Sequence, residues 1–350
     1  MTRARIQTAA TSVDLLVLAE CVEKFSSKTV VLLGDFVADE FQFGEISRVS
    51  REAPVLILRH RETRVVPGGG ANAANNLSAL GARVLPVTAV GQDAAGTALA
   101  EYFRGQCVDV SGIVRVKDWT TPTKTRFVAG WAHTVGQQVL RVDREPQTLP
   151  DAVRRRVHQL LSAKIRSADA LAVSDYGFGV ASPQLVRDAA KKRKRRMVVT
   201  LDARYNLGAY ARAGISSATP NEAEIEALHH TTIGANFNEL ARCGQATLAA
   251  MKLRALLVTR GRDGMALFEA RDRVTRIAVH GSDQAVDVTG AGDTVLAAYT
   301  LALACEASPL EAAHIANIAG GLVVMKRGTA TVSRAELLET IRRDAGGSGG

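Results

Sequence analysis

Asp287-Val288-Thr289-Gly290-Ala291-Gly292-Asp293-Thr294, continued by the apolar run Val295 to Cys305, decides how the rest of the chain is read. An acidic residue, a turn punctuated by glycines, a second carboxylate and a helix-length apolar stretch place Asp293 beside the amino end of a buried helix. The first N–H groups of a helix lack internal partners and the summed peptide dipoles leave partial positive charge there, so such an end holds anions. Gly290 and Gly292 carry no side chain to keep a phosphate off the backbone, and Ala291 is small. A carboxylate at that place repels an anion. It has a use as the base that takes a proton from a hydroxyl attacking a phosphoryl group. Taken alone, Asp293 reads more readily as an N-cap before an ordinary core helix, and the remaining sequence has to overturn that reading.

With 350 residues, 47% hydrophobic and 23% charged, the chain has room for one large α/β domain or two modest ones, each with a full core. Cys21, Cys107, Cys243 and Cys305 are scattered without a C-x-x-C pair, which signals neither a zinc site nor a disulfide framework and suggests the reducing cytoplasm. Met1 to Cys21 reads as an amphipathic helix within a helical extension over residues 1–27, and no apolar run is long enough for a membrane span, so no membrane partner is expected. The net charge of +9 and the run Lys191 to Arg196 raise nucleic-acid binding. The run lacks interleaved aromatics and suits a solvated helix C-terminus, so no nucleic-acid partner is expected either, whereas a basic balance suits phosphorylated substrates.

Read in order, Val30 to Leu33 is a strand that delivers Asp35 and Asp39 to the crevice where open α/β sheets bind ligands, and both carboxylates are candidates to grip hydroxyls. Phe41 to Val66 reads as a hairpin or flap. In Pro67 to Leu77 three glycines open a small-residue helix, either to admit a ligand to the backbone or as a flexible turn, and Asn72 can donate and accept at once. Strand and helix then alternate as in a parallel sheet with covering helices. Thr123 to Ala129 and Gln137 to Val142, joined through Gly130, Trp131, His133 and Gly136, add a second pair of flap strands. Later strands deliver Asp175, then Asp202 and Arg204. Asn221 and Glu224 share a helix face and suit either a hydrated Mg²⁺ or a capping box. Thr259 leads into Arg260 to Gly264, a hairpin turn that also suits backbone contact with a purine. Gly346 to Gly350 reads as a disordered linker.

From about Val30 to Leu338 the chain resembles the PfkB, ribokinase-like, family of sugar kinases, through the glycine-rich Pro67 to Asn76 and the signature Asp287 to Ala298. The resemblance implies a three-layer α/β sandwich with a mainly parallel sheet over residues 28–340, a β-sheet lid from about 41–66 and 115–143, and a tail over 341–350. It implies Asp293 as the base and Gly290, Ala291 and Gly292 as the anion hole; Asn221 and Glu224 acting on Mg²⁺ and phosphate; and Arg204, Thr259, Gly261, Gly264 and Asn317 near ATP. Asp39, Gly69, Gly70, Asn72, Gln138, Arg141 and Asp175 would meet the sugar, and Asp287, Thr289 and Gly328 a monovalent cation such as K⁺.

Within the family the chain is most similar to the heptose 7-phosphate kinase branch, through Ser47 to Val55, Thr123 to Arg126, Gln137 to Asp143, Ser174 to Gly177 and Gly328 to Ser333. That branch implies phosphorylation of D-glycero-D-manno-heptose 7-phosphate at C1 on the way to ADP-heptose and lipopolysaccharide, a homodimer, and a separate nucleotidyltransferase for the next step. Two positions depart from its pattern: Phe178 replaces a lysine, and Asp202-Ala203-Arg204 replaces Asp-Pro-Lys. Arg48, Arg51, Lys124, Arg126 and Arg141 remain to hold a substrate phosphate. The alternatives are a kinase for another sugar and a weakly catalytic nucleotide sensor on the same fold.

Overall fold

The computed structural model describes residues 5–8, 13–106, 108–130, 136–194, 196–282 and 284–347. In chain order these form β1 (Arg5–Thr8), α1 (Leu15–Glu23), β2 (Thr29–Gly34), β3 (Phe36–Val49), β4 (Leu56–Gly69), α2 (Gly70–Ala79), β5 (Arg83–Gly91), α3 (Ala94–Gly105), β6 (Ile113–Val116), β7 (Thr123–Gly130) and β8 (Gln137–Arg144). They continue as α4 (Asp151–Lys164), β9 (Ala170–Asp175), α5 (Pro183–Lys192), β10 (Val198–Ala203), β11 (Ser217–Ala218), α6 (Glu222–His229) and α7 (Phe237–Met251). The last are β12 (Ala255–Thr259), β13 (Met265–Glu269), β14 (Arg273–Ile277), α8 (Ala291–Ala304), α9 (Pro309–Val323) and α10 (Arg334–Gly347).

The main sheet has the order β1-β14-β13-β12-β11-β10-β9-β2-β5-β6, and a second sheet the order β4-β3-β7-β8. Pairing is parallel from β6 to β12 and antiparallel only through β12, β13 and β14. Side chains on a strand alternate between faces, so a strand covered on both sides is apolar throughout. In β2, Val30 and Leu32 join the core beneath α1, α2, α3, α8, α9 and α10, while Val31 and Leu33 join the core beneath α4, α5, α6 and α7. The result is the three-layer sandwich with a small second sheet that the sequence predicts. Helix α8 is buried from Asp293 to Ala302, which explains why its sequence is apolar on every side.

Several boundaries differ from the sequence reading. The N-terminal segment is not wholly helical, because Arg5–Thr8 extends the main sheet alongside β14 before α1 begins. Ile113–Val116 pairs with β5 in the main sheet, so the second sheet takes only β7 and β8 from the 115–143 region, while β3 enters it as early as Phe36. Helix α10 runs to Gly347, so most of the tail expected to be disordered is helical. Cys107, Trp131, His133, Arg195 and residues 348–350 lie outside the described residues. Much of the basic run is engaged internally: Lys191 with Asp188, Lys192 with Ser162, Arg193 with the Gly214 carbonyl and Arg196 with Glu306. Among the described residues no helix is long and apolar enough to cross a membrane.

Candidate active site

Gly290 caps α8 with φ +77°, which turns the chain so that Asp293 falls in the first helical turn. The Asp293 carboxylate is 4% exposed. Its Oδ2 accepts from Asn72 Nδ2 at 2.8 Å and its Oδ1 from the Tyr176 hydroxyl at 3.2 Å. Asn72 is held in turn, since its Oδ1 accepts from Asn76 Nδ2 at 3.1 Å and Asn76 Oδ1 accepts from Thr294 Oγ1 at 2.8 Å, which ties α2 to α8. Burial pushes the Asp293 carboxyl up to about 7, against the pull of the Asn72 and Tyr176 donors; the Asp39 charge adds to the rise and Lys124 opposes it. A carboxylate with that proton affinity, aimed into a crevice, is suited to proton transfer near neutral pH.

The glycine-rich segment is beside Asp293, but its glycines serve a different purpose from the one expected. A Cβ at Gly68 would stand 2.6 Å from the Asp39 carboxylate, at Gly69 2.7 Å from Val37, and at Gly70 3.0 Å from the Asp35 carbonyl. Close packing of β4 on the start of β3 requires them, and Gly69 also has φ +53°. Strand β4 passes into α2 with no intervening loop. Asp35 is corrected as a ligand for hydroxyls: it is fully buried and accepts the backbone N–H groups of Tyr176, Phe178 and Val180. Asp39 is paired with Arg126 at 2.6 Å, and Asp175 accepts from Gly177 N and the Tyr210 hydroxyl, so both carboxylates already have partners.

Two cavities flank Asp293. One, of about 510 Å³, lies between β7, β8, the 144–149 connection and the loop after β9, and is lined by Lys124, Arg144, Arg154, Tyr176, Phe178 and Arg204 among others. Arg141 also lines it but is bidentate to Asp143, whereas Arg48 and Arg51 belong to the β3–β4 hairpin and Gln138 is exposed on β8; none of these three lines either cavity. The other, of about 360 Å³, is mostly apolar and gathers Thr259, Gly261, Gly264 and Asn317 with Ala291 and Gly292. A Cβ at Gly292 would meet nothing within 4 Å, so this end of α8 opens to solvent.

Asn221 and Glu224 form a complete capping box on α6, and Asn221 bridges to Thr259 at the edge of the smaller cavity. Burial raises the Glu224 carboxyl, with the Asn221 N–H and Arg204 opposing. Burial, then the charges of Glu224 and Asp293, raises Asp202 well above the carboxylate range. Asp202, which feels the Glu224 charge, and Glu224 make a fitting outer shell for a hydrated divalent cation, which needs few protein ligands when phosphates supply the rest. Asp287 accepts from Thr289 N and Gly328 N, both at 2.9 Å, which brings these three residues together; among the described residues the neighbouring Thr329 Oγ1 is buried without a partner. Sequence reasoning gave no role to Tyr176, Arg144 or Arg154, and placed Asp202 at a strand end beside Asp175 without assigning it a function.

A family model described as pfkB family carbohydrate kinase matches residues 28–336. The bifunctional protein HldE of Geobacter metallireducens is 39% identical over 310 residues, covering 88% of this chain and 62% of that protein. Its counterpart in Geobacter sulfurreducens is 38% identical over 314 residues, 89% of this chain and 62% of that protein. The chain thus spans about 62% of the length of these relatives. Among solved structures, phosphofructokinase-2 from Escherichia coli in complex with potassium superposes with a TM-score of 0.71 at 19% identity, over 91% of this chain and 99% of that one. Arabidopsis thaliana ribokinase complexed with ribose and ATP gives 0.65 at 20%, over 90% and 99%, and both likenesses concern the fold.

Proposed function

Because the chain belongs to the pfkB family of carbohydrate kinases, we propose that it moves the terminal phosphoryl group of ATP to a sugar phosphate, D-glycero-D-manno-heptose 7-phosphate, at its C1 hydroxyl. The observation that carries this reading is the position of Asp293 between a cation-lined cavity and an apolar one that the amino end of α8 enters. The sugar occupies the first and the adenine end of ATP the second. Asp293 takes the proton of the attacking hydroxyl as the sugar oxygen bonds to the terminal phosphorus and the bond to the ADP oxygen breaks; the N–H groups of Gly290 and Gly292 receive the developing charge, whereas that of Ala291 is donated to the Val288 carbonyl at 3.2 Å. Glu224 and Asp202 would hold, through water, a Mg²⁺ ion carried with the nucleotide, which would neutralise charge on the phosphates. The loop of Asp287, Thr289 and Gly328 suits a monovalent cation. The product calls for a nucleotidyltransferase that accepts an anomeric phosphate.

Among the described residues Lys124, Arg144 and Arg204 line the larger cavity without a carboxylate salt bridge, and Arg154 has a loose contact with Asp151 at 3.5 Å. They replace Arg126 and Arg141, both already paired, as holders of the substrate phosphate. Charge-assisted hydrogen bonds contribute about 1.5–3 kcal/mol each, so R144A/R154A is expected to raise KM for the phosphorylated sugar at least about tenfold and to leave KM for its unphosphorylated analogue alone. A panel of free and phosphorylated sugars with NMR identification of products tests the substrate. Preference for free sugars, or no selective effect of the double variant, removes the phosphate assignment.

The second sheet ends on β8, which is exposed at all eight positions, with Val139, Leu140 and Val142 at 44%, 55% and 40%. An unpaired apolar edge suits pairing with a second copy. Sedimentation is expected to give a species of twice the 37.2 kDa chain mass that L140D splits; a monomer at micromolar concentration would exclude the homodimer.

A further inference from the structure

Both oxygens of the Asp293 carboxylate already have protein partners, and the two partners are unlike. Asn72 is wedged: its amide nitrogen also lies 3.4 Å from the Gly290 carbonyl, and Asn76 fixes its other end. Tyr176 makes the longer bond, 3.2 Å, and lines the wall of the 510 Å³ cavity. The backbone at Tyr176, Phe178 and Val180 is pinned by Asp35, so the side chain alone can swing. Lys124 Nζ lies 5.7 Å from the ring centre and holds the ring over the base.

We infer that Tyr176 is a placeholder whose hydroxyl occupies the face of Asp293 that an attacking hydroxyl must reach, withholding the base from water until a sugar displaces it. The inference rests on Asp293 being the base of the proposed reaction. A kinase that leaves its base open to water hydrolyses ATP without a sugar: the water oxygen bonds to the terminal phosphorus, the bond to the ADP oxygen breaks with its electron pair, and the proton goes to Asp293. A phenol hydroxyl is close in hydrogen-bonding capacity to that water, and its ring is tethered to the backbone that Asp35 pins. Tyr176 is therefore a positioning residue.

The test compares the full chain as wild type, Y176F, D293N and Y176F/D293N, measuring ATP hydrolysis without sugar and phosphoryl transfer with it. Y176F keeps the ring and leaves in place the charged groups that face Asp293, which are Asp39 from β3, Lys124 from β7 and Asp202 from β10. The ratio of sugar-free hydrolysis to sugar phosphorylation is expected to rise about tenfold or more in Y176F, within the range a freed general base supplies. The acid limb of the rate profile moves to higher pH, because the carboxylate loses a donor that favours its charged form. The extra hydrolysis disappears in Y176F/D293N. A wild-type ratio in Y176F, an unmoved acid limb, or hydrolysis that survives loss of Asp293 overturns the inference. Full sugar turnover in D293N instead removes Asp293 as the base, a failure of the proposed function and of this inference with it.

Discussion

Asp293→Asn is expected to lower kcat at least about a hundredfold, within the 10²- to 10⁴-fold that a general base contributes, while ATP binds with unchanged affinity. The substitution is close to isosteric. The amide oxygen can stay opposite Asn72 and the amide nitrogen can donate to the Tyr176 hydroxyl, so the network between α2 and α8 survives and only the proton acceptor is lost. The apolar cavity assigned to the nucleotide is lined by Ala291 and Gly292, not by Asp293, which is why affinity and turnover separate. The pH dependence follows from the same group. Its affinity for protons is raised to about 7, so the ionised, competent fraction falls as pH drops through that value, and the wild-type rate should decline about tenfold per unit below it. A coupled assay with calorimetry of ATP binding checks both points; near-normal turnover by the asparagine variant would take Asp293 out of the chemistry.

Gly290→Ala should be nearly as damaging, by a different route. At φ +77° an L side chain is strained by about 1–2 kcal/mol, and the new methyl would lie 2.4 Å from Asn72 Nδ2, the atom that orients Asp293. The unfolding midpoint is expected to fall by a few degrees and kcat by at least about tenfold, since a misplaced base loses much of its effect. Gly292→Ala is the contrasting case: its Cβ enters open space at the cavity edge, so the midpoint stays and KM for ATP rises. Equal thermal stability and turnover in wild type and Gly290→Ala would show that the contact between Asn72 and the α8 cap is dispensable.

The outline of the fold was legible because its signals are local. Alternating apolar strands, helix-length runs and the glycines at 290 and 292 each state their conformation within a few residues. The grouping of Thr259, Gly261, Gly264 and Asn317 was legible too: spread over some sixty positions, they meet in one cavity. The larger cavity was not, because what a charged side chain meets is set by segments far away in sequence. Arg126 reaches Asp39 across 87 positions, and Tyr176 reaches Asp293 across 117. A list of basic residues does not say which are spent on neighbours and which remain free for a ligand. The same limit applies to Gly68, Gly69 and Gly70, whose spacing suggests a ligand cradle although the atoms they make room for belong to β3.

The direct passage from β4 into α2 has a mechanical consequence. With no residue between them, and with Gly68, Gly69 and Gly70 packed against Asp39, Val37 and the Asp35 backbone, the end of β4 and the first turn of α2, which carries Asn72, are mechanically continuous. A load applied to β4 would therefore reach the Asn72 amide, and through it the orientation of the Asp293 carboxylate, with no contact at Asp293 itself.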